Sequence, residues 1–513
     1  MSEISVLYYG NTDASFESGA DVRIDVMAAG DAGAAGTDAE AAEAAAVVIL
    51  DEVYDVVILD KTPTDEDVRI LWKHTATGTL FVTENVYVQG EILKYFTSKK
   101  GRILHREEIP GFLKNDLKLF YKKGYGEKYA LSSITVSPRY KGNVRFSGNC
   151  SVELDGDYGE SLSQIICFRN NIPINMGQCS DILLEYRKDD SVEISMEIML
   201  FKEGSISKVL HEWVCNETEL DDIVLIENNY GKGTLFFSLL AKGSGRLEII
   251  ALNNRYSRKE YGFFLPGGDR FETSNREELF CYFDPGDLKP PLNVYFAGYK
   301  KMQSFEGYSF IRKLGCPFLL ISEPRIEGGC FYMGDDEYEQ MVLSAIREYI
   351  DRLCFSPDDV IFSGLSMGTC GAMYYAADIL PHAVIIGKPL ASIGNVAQNE
   401  RLLRPGGFPT SLDVLLKLEG SCDKEAVEKL NRKFWDKFEK TDWGNTKFIV
   451  AYMIEDDYDR SAYEDILSHL DGENVKVYGK GLHGRHNDNT RGIVSWFSAQ
   501  YKKIINEDFG RGN

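Results

Sequence analysis

Three rhythms of apolar and polar residues succeed one another along the chain. The first alternates short β-branched runs with helical ones: Ile4 to Tyr9, the run VVILD ending at Asp51, DVVILD ending at Asp60, and GTLFVTENV, with a helical stretch at Asp65 to His74. Such alternation predicts a small, Rossmann-like parallel α/β domain over residues 1–125. From about Tyr129 the period shortens to the alternating runs SSITVSP, NVRFSG, DILLEYR, SVEISMEIMLF, GTLFFSLLA and GRLEIIAL, punctuated by Gly, Asn and Asp. These predict an antiparallel, jelly-roll-like β-sandwich over 126–284. After Pro290 and Pro291 the strand and helix alternation returns, with NVYFAG, PFLLISEP, DVIFSG, AVIIGKP, KFIVAYMI and VKVYGK as strands and helices such as Glu337 to Leu353 between them. Continuously apolar strands need cover on both faces, so residues 285–513 are expected to form a doubly covered, mainly parallel sheet of the α/β-hydrolase type.

Composition narrows the picture. A chain of 513 residues with 44% apolar content exceeds what a single core absorbs, in keeping with several domains. Its 57 basic and 79 acidic side chains leave a formal charge of −22, which opposes broad docking onto nucleic acid or an anionic bilayer. The opening MSEISVLYYG has no basic segment followed by an apolar core, and no run approaches the roughly 20 apolar residues of a spanning helix. A cytoplasmic protein is therefore expected. The ten cysteines contain no C-x-x-C pair, so neither a zinc nor a redox motif is indicated, and they are expected to be reduced and mostly buried. GDAGAAG, within Ala28 to Ala46, lacks the spacing of a phosphate loop and reads as a loop running into a helix. DGDYGE, at Asp155 to Glu160, lacks calcium-loop spacing and reads as a solvated turn. No metal site is expected.

The chemistry concentrates in the third region. Gly364-Leu365-Ser366-Met367-Gly368 fits G-x-S-x-G and lies between the strand ending at Ser363 and the helical TCGAMYYAADIL, the context in which that motif presents a serine nucleophile. The Met367 amide would face a developing oxyanion, and the loop opening with Gly298 and Tyr299 would supply the second donor. A serine needs a base, and this fold orders its triad as serine, acid, histidine. After KFIVAYMI stands Glu455-Asp456-Asp457-Tyr458, from which Asp456 is favoured, with Asp457 and Glu455 as alternatives. Ser461 and Glu464 form an S-x-x-E box able to start the next helix, which leaves the tetrad for another role. After VKVYGK come two candidate bases, His483 and His486, before a final helix that begins near Thr490 and carries Ile493, Trp496 and Phe497 on one face. The insertion from Ala391 to Lys447 would form a cap over the site or a packing subdomain.

FSGLSMGTCGAMYYAA, GKPLASIGNVA, RLLRPGGFPTSLDVL, AYMIEDDYD and GRHND together resemble the second accessory secretory protein family of the Gram-positive accessory Sec system. The resemblance implies an α/β-hydrolase-type O-acetyltransferase that acetylates N-acetylglucosamine on serine-rich repeat adhesins and supports their export. It also implies Ser366 as nucleophile, His486 as base and an acid at Asp456, within a tetrad where Glu and Asp can exchange. The implied partners are other accessory secretory proteins, the accessory Sec motor ATPase and the adhesin, with the protein held at the inner face of the membrane through the export complex. An acetyl donor is required, of unknown identity, and no bound cofactor is expected. A carbohydrate esterase and a non-catalytic assembly subunit are the competing readings.

Overall fold

The computed structural model describes residues 3–11, 21–28, 53–121, 124–169, 171–403, 410–470 and 475–511. The expected strand ending at Asp51 and the GDAGAAG string lie outside them. At the N-terminal end, five parallel strands stand in the order Val22–Ala28, Ile4–Gly10, Val56–Leu59, Leu80–Val82 and Arg102–Ile103. The helix between the third and fourth of these in chain order runs Asp65–His74. Thr64 starts it in a reciprocal box with Asp67, and its acidic first turn complements the helix dipole.

The middle region forms one continuous eleven-stranded sheet paired antiparallel throughout. GTLFFSLLA and GRLEIIAL, read as two strands, are one strand, Gly233–Tyr256, whose register against Ser151–Phe168 slips near Gly243. The Gly-Ser-Gly string therefore bends the strand without ending it. The turn expected at Asp155 to Glu160 is corrected as well: the segment is solvated, with Asp155, Asp157, Gly159 and Glu160 exposed, but it lies within the strand Ser151–Phe168. Tyr158 draws it into the sheet, with its ring buried and stacked on Tyr140 and its hydroxyl donating to the Leu154 carbonyl at 2.9 Å.

The third sheet has eight strands: Asp269–Glu272, Glu278–Asp284, Leu292–Phe296, Phe318–Ser322, Val360–Leu365, Ala383–Gly387, Lys447–Met453 and Val477–Leu482. Counted along the chain, they stand in the order first, second, fourth, third, fifth, sixth, seventh, eighth. The second is antiparallel to both neighbours and the others run parallel. This is an α/β-hydrolase fold. Its first two strands come from the stretch read as sandwich, and Glu278–Asp284 is buried at every position, as a central strand of a covered sheet must be. Crossing the other way, Met302–Gln303 leaves the catalytic region to pair with Gly126–Tyr129 of the middle sheet. The sheets are thus not divided at 284/285.

All ten cysteines are free thiols; six are buried, while Cys354 and Cys422 are exposed. Among the described residues no helix is long and apolar enough to cross a membrane, and no group of three or more His, Cys, Asp or Glu is placed to hold a metal.

Candidate active site

Ser366 sits between strand Val360–Leu365 and helix Met367–Ile379 with φ 53° and ψ −121°, a left-handed geometry that side chains rarely adopt. The flanking glycines are required by contact. A Cβ on Gly364 would lie 2.2 Å from the Gly368 carbonyl oxygen, and one on Gly368 would lie 2.1 Å from the Phe296 carbonyl oxygen. The turn is pinned where the Ser366 amide donates to the Gly387 carbonyl at 2.9 Å and the Thr369 hydroxyl donates to the Ser366 carbonyl at 2.6 Å.

The Ser366 hydroxyl is 2.8 Å from His486 Nε2, and His486 Nδ1 is 2.9 Å from Asp456 Oδ2. A carboxylate only accepts, so Nδ1–H donates to Asp456, and in the neutral ring Nε2 is left to accept from the serine. Each acid of the tetrad holds a different group. Asp456 holds the ring, and its other oxygen accepts from the amides of Tyr458 and Asp459 at 2.8 and 3.3 Å. Asp457 accepts from the His486 backbone amide at 2.9 Å and pairs with Arg485. Glu455 turns outward to His483 and the Gly484 amide. The two histidines separate by burial: His486 is 1% exposed and His483 85%. The S-x-x-E box is corrected, since Ser461 makes no side-chain cap and its hydroxyl donates to Asp465 at 2.7 Å. A pair one turn along the same helix outcompetes the cap.

A cavity of about 270 Å³ opens over Ser366, lined by Met367, Tyr299, Glu306, Phe331, Lys388 and His486 among others. Met367 is the first residue of its helix, where backbone N–H groups have no acceptor within the helix. Gly298, nominated as an oxyanion donor, is corrected: its amide donates to Glu306 Oε2 at 2.7 Å. Tyr299 stands beside it in the cavity wall. Of the insertion, Val396 reaches the cavity, whereas Val414, Leu415, Leu430 and Phe434 pack into the same core as the helix after Ser366; residues 404–409 lie outside the described ones.

Three lining residues were given no role by the sequence reading. Lys388 follows the sixth strand and donates to the Asp488 carbonyl at 2.9 Å and the Thr490 hydroxyl at 3.3 Å, tying down the histidine loop; burial lowers its pKa. The Tyr458 ring stacks on His486 at 4.3 Å. Glu306 is the third. For Lys388, position just beyond the carboxyl end of a strand was a usable signal.

A family model described as the accessory Sec system GspB-transporter matches residues 4–511. The second accessory secretory protein of the accessory Sec system of Streptococcus gordonii is 37% identical over 459 residues, 89% of this chain and 90% of that protein. Its counterpart in Staphylococcus aureus is 39% identical over 387 residues, covering 75% and 74%. A solved chain of the Glycosylation Associate Protein (Gap123) complex from Streptococcus agalactiae superimposes with a TM-score of 0.86 at 34% identity, covering 99% of both chains. With nearly the whole length matched by one family model, this chain belongs to the accessory Sec system GspB-transporter family.

Proposed function

We propose that this protein O-acetylates N-acetylglucosamine on serine-rich repeat adhesins and serves their export as a component of the accessory Sec system. The observation that carries the reading is the unbroken line of hydrogen bonds from Asp456 through His486 to a serine on a strained turn at the floor of a cavity. Family membership supplies the biological setting.

In the first step Ser366 Oγ attacks the carbonyl carbon of an acetyl ester or thioester while His486 Nε2 takes the hydroxyl proton. The donor's bond to its leaving group breaks, His486 returns the proton to that group, and an acetyl-serine ester remains. A sugar hydroxyl then attacks the same carbon and gives its proton to His486, and Ser366 Oγ leaves and regains it. Asp456 stabilises the imidazolium in both halves, and the amides of Met367 and Tyr299 face the two tetrahedral oxyanions. Water as acceptor would make the same machinery a carbohydrate esterase.

The Streptococcus agalactiae relative was solved as a complex, which supports assembly of this chain with other accessory proteins; its place in the proposal is at the inner face of the membrane beside the motor ATPase. The test is Ser366→Ala in the producing cell, with mass spectrometry of the adhesin glycans and a separate measure of exported adhesin. Acetylated N-acetylglucosamine should vanish while export continues. Acetylation persisting in the variant would remove Ser366 as nucleophile and leave the assembly role alone.

A further inference from the structure

The loop that follows strand Leu292–Phe296 and carries Gly298 and Tyr299 is held from outside the catalytic sheet. Four residues past Gly298, Met302–Gln303 pairs with Gly126–Tyr129, a strand that pairs in turn with Gly233–Tyr256 of the middle sheet. The Gln303 side chain is buried there. Arg255 Nε donates to its Oε1 at 2.7 Å, and its Nε2 donates to Asn253 Oδ1 at 2.9 Å. Arg255 is itself fixed by the buried Glu278 carboxylate, to which it donates from both terminal nitrogens. The backbone at Gly126 passes so near that a Cβ would lie 2.5 Å from Arg255 Cγ.

The loop then returns to the cavity. Glu306 accepts from the Gly298 amide at 2.7 Å. Between the anchors, Ser322 donates to the Ser304 carbonyl at 3.1 Å and Lys300 Nζ to the Ser304 hydroxyl at 2.9 Å. Gly298 N–H is committed to a carboxylate, a charge-assisted bond, and Tyr299 beside it lines the cavity that holds Ser366.

Resting on the serine mechanism above, we infer that the middle β-sheet is part of the catalytic apparatus: Gln303 and Glu306 are positioning residues that fix the Tyr299 amide for acyl transfer at Ser366. An oxyanion donor acts through fixed geometry, and loss of one costs about 100- to 1,000-fold in kcat. A displaced donor weakens the transition state and leaves ground-state binding in place, so kcat and kcat/KM fall together.

The experiment uses the full chain with p-nitrophenyl acetate as acyl donor, and records thermal midpoints so that rates refer to folded protein. Glu306→Ala should lower kcat about 100-fold with KM unchanged, Glu306→Gln, which keeps an acceptor for the Gly298 amide, should recover most of it, and Gln303→Ala should lower kcat about 10-fold. If Glu306→Ala does not fold, Gln303→Ala and Glu306→Gln decide. Ser366→Ala runs in parallel: activity surviving there sinks the serine mechanism itself. A dead Ser366→Ala beside Gln303→Ala and Glu306→Ala with wild-type kcat overturns only the positioning roles. So does a Glu306→Gln as slow as Glu306→Ala. A kcat that rises in Glu306→Ala overturns it in the opposite sense, with the carboxylate obstructing the loop it was inferred to align.

Discussion

On one side of Ser366 stands the base with its acid, and on the other the loop that carries Tyr299. The base side is built from two short stretches, 455–459 and 483–490, and its contacts are redundant. His486 is held at its ring by Asp456, at its backbone by Asp457 and on its face by Tyr458, and Lys388 anchors the residues just beyond it. The oxyanion side is held from farther away: Gly126, Asn253 and Arg255 lie in the middle sheet, while Glu306, Lys300 and Ser322 hold the loop from nearer by. Proton transfer and charge stabilisation are thus supported by different parts of the fold and can be broken one at a time.

The largest effect should come from breaking the base side at its one irreplaceable contact. In Asp456→Asn the amide can offer N–H to His486 Nδ1, which stabilises the tautomer with its proton on Nε2 and leaves nothing to accept from Ser366. A fall in kcat of about 10,000-fold is expected, with the thermal midpoint little changed, because Asn Oδ1 still accepts from the Tyr458 and Asp459 amides. A fall no greater than that of Asp457→Asn would show that the ring is oriented by its stacking and backbone contacts, and that the acid assignment within the tetrad is mistaken.

The same contrast explains what the sequence made legible. The serine turn, the acid tetrad and the two histidines are short runs of neighbouring residues, each placed at the carboxyl end of a strand, so period and order along the chain were enough to find them. Choosing between His483 and His486 required the family resemblance, because nothing in GLHGRHND tells which imidazole turns inward. The oxyanion side could not be read this way. That Gly298 N–H points at Glu306, eight residues on, depends on a loop whose path is set by pairing with a strand near residue 126, and single-sequence periodicity carries no information about such non-local pairing. The strand Asp269–Glu272 was missed for a related reason: its burial is only partial and its partner is Glu278–Asp284, so it has the half-buried look of the sandwich strands before it.

A smaller effect sharpens the account of the base side. Asp459, the last acid of the loop, accepts from the Ala391 and Ser392 amides at 2.8 Å each and so joins the acid loop to the start of the insertion. Burial, with like charge on Asp465 and Asp456, pushes its carboxyl up to about 6, against the opposing pull of those two amides. The folded state therefore binds this proton more tightly than the unfolded chain does. The stabilisation is complete below the ordinary carboxylate pKa and is lost as pH rises through about 6, at no more than about 1.4 kcal/mol per pH unit. Asp459→Asn keeps an oxygen for both amides and has no such dependence. Denaturant midpoints should show it gaining on the wild type between pH 5 and pH 7, and a constant difference across that interval would mean that Asp459 is not held protonated by the fold.

The smallest effect is expected where the two histidines are compared directly. His483 lies three residues from His486 and has its own carboxylate, Glu455, at 3.0 Å, so by residue type alone it is an equal candidate for the base. Yet its ring is exposed, where a single ion pair is screened by water, and Glu455 also holds the Gly484 amide, a bond that remains when the imidazole is removed. His483→Ala should therefore leave kcat within about twofold of the wild type, as expected of an exposed side chain outside the reacting atoms, while His486→Ala should approach the loss seen for Ser366→Ala, because members of such a triad act as a unit. Comparable losses in the two histidine variants would mean that the loop 483–490 exchanges its imidazoles at Ser366, and the base side would then be the adaptable half of the site and the loop held by the middle sheet the rigid one.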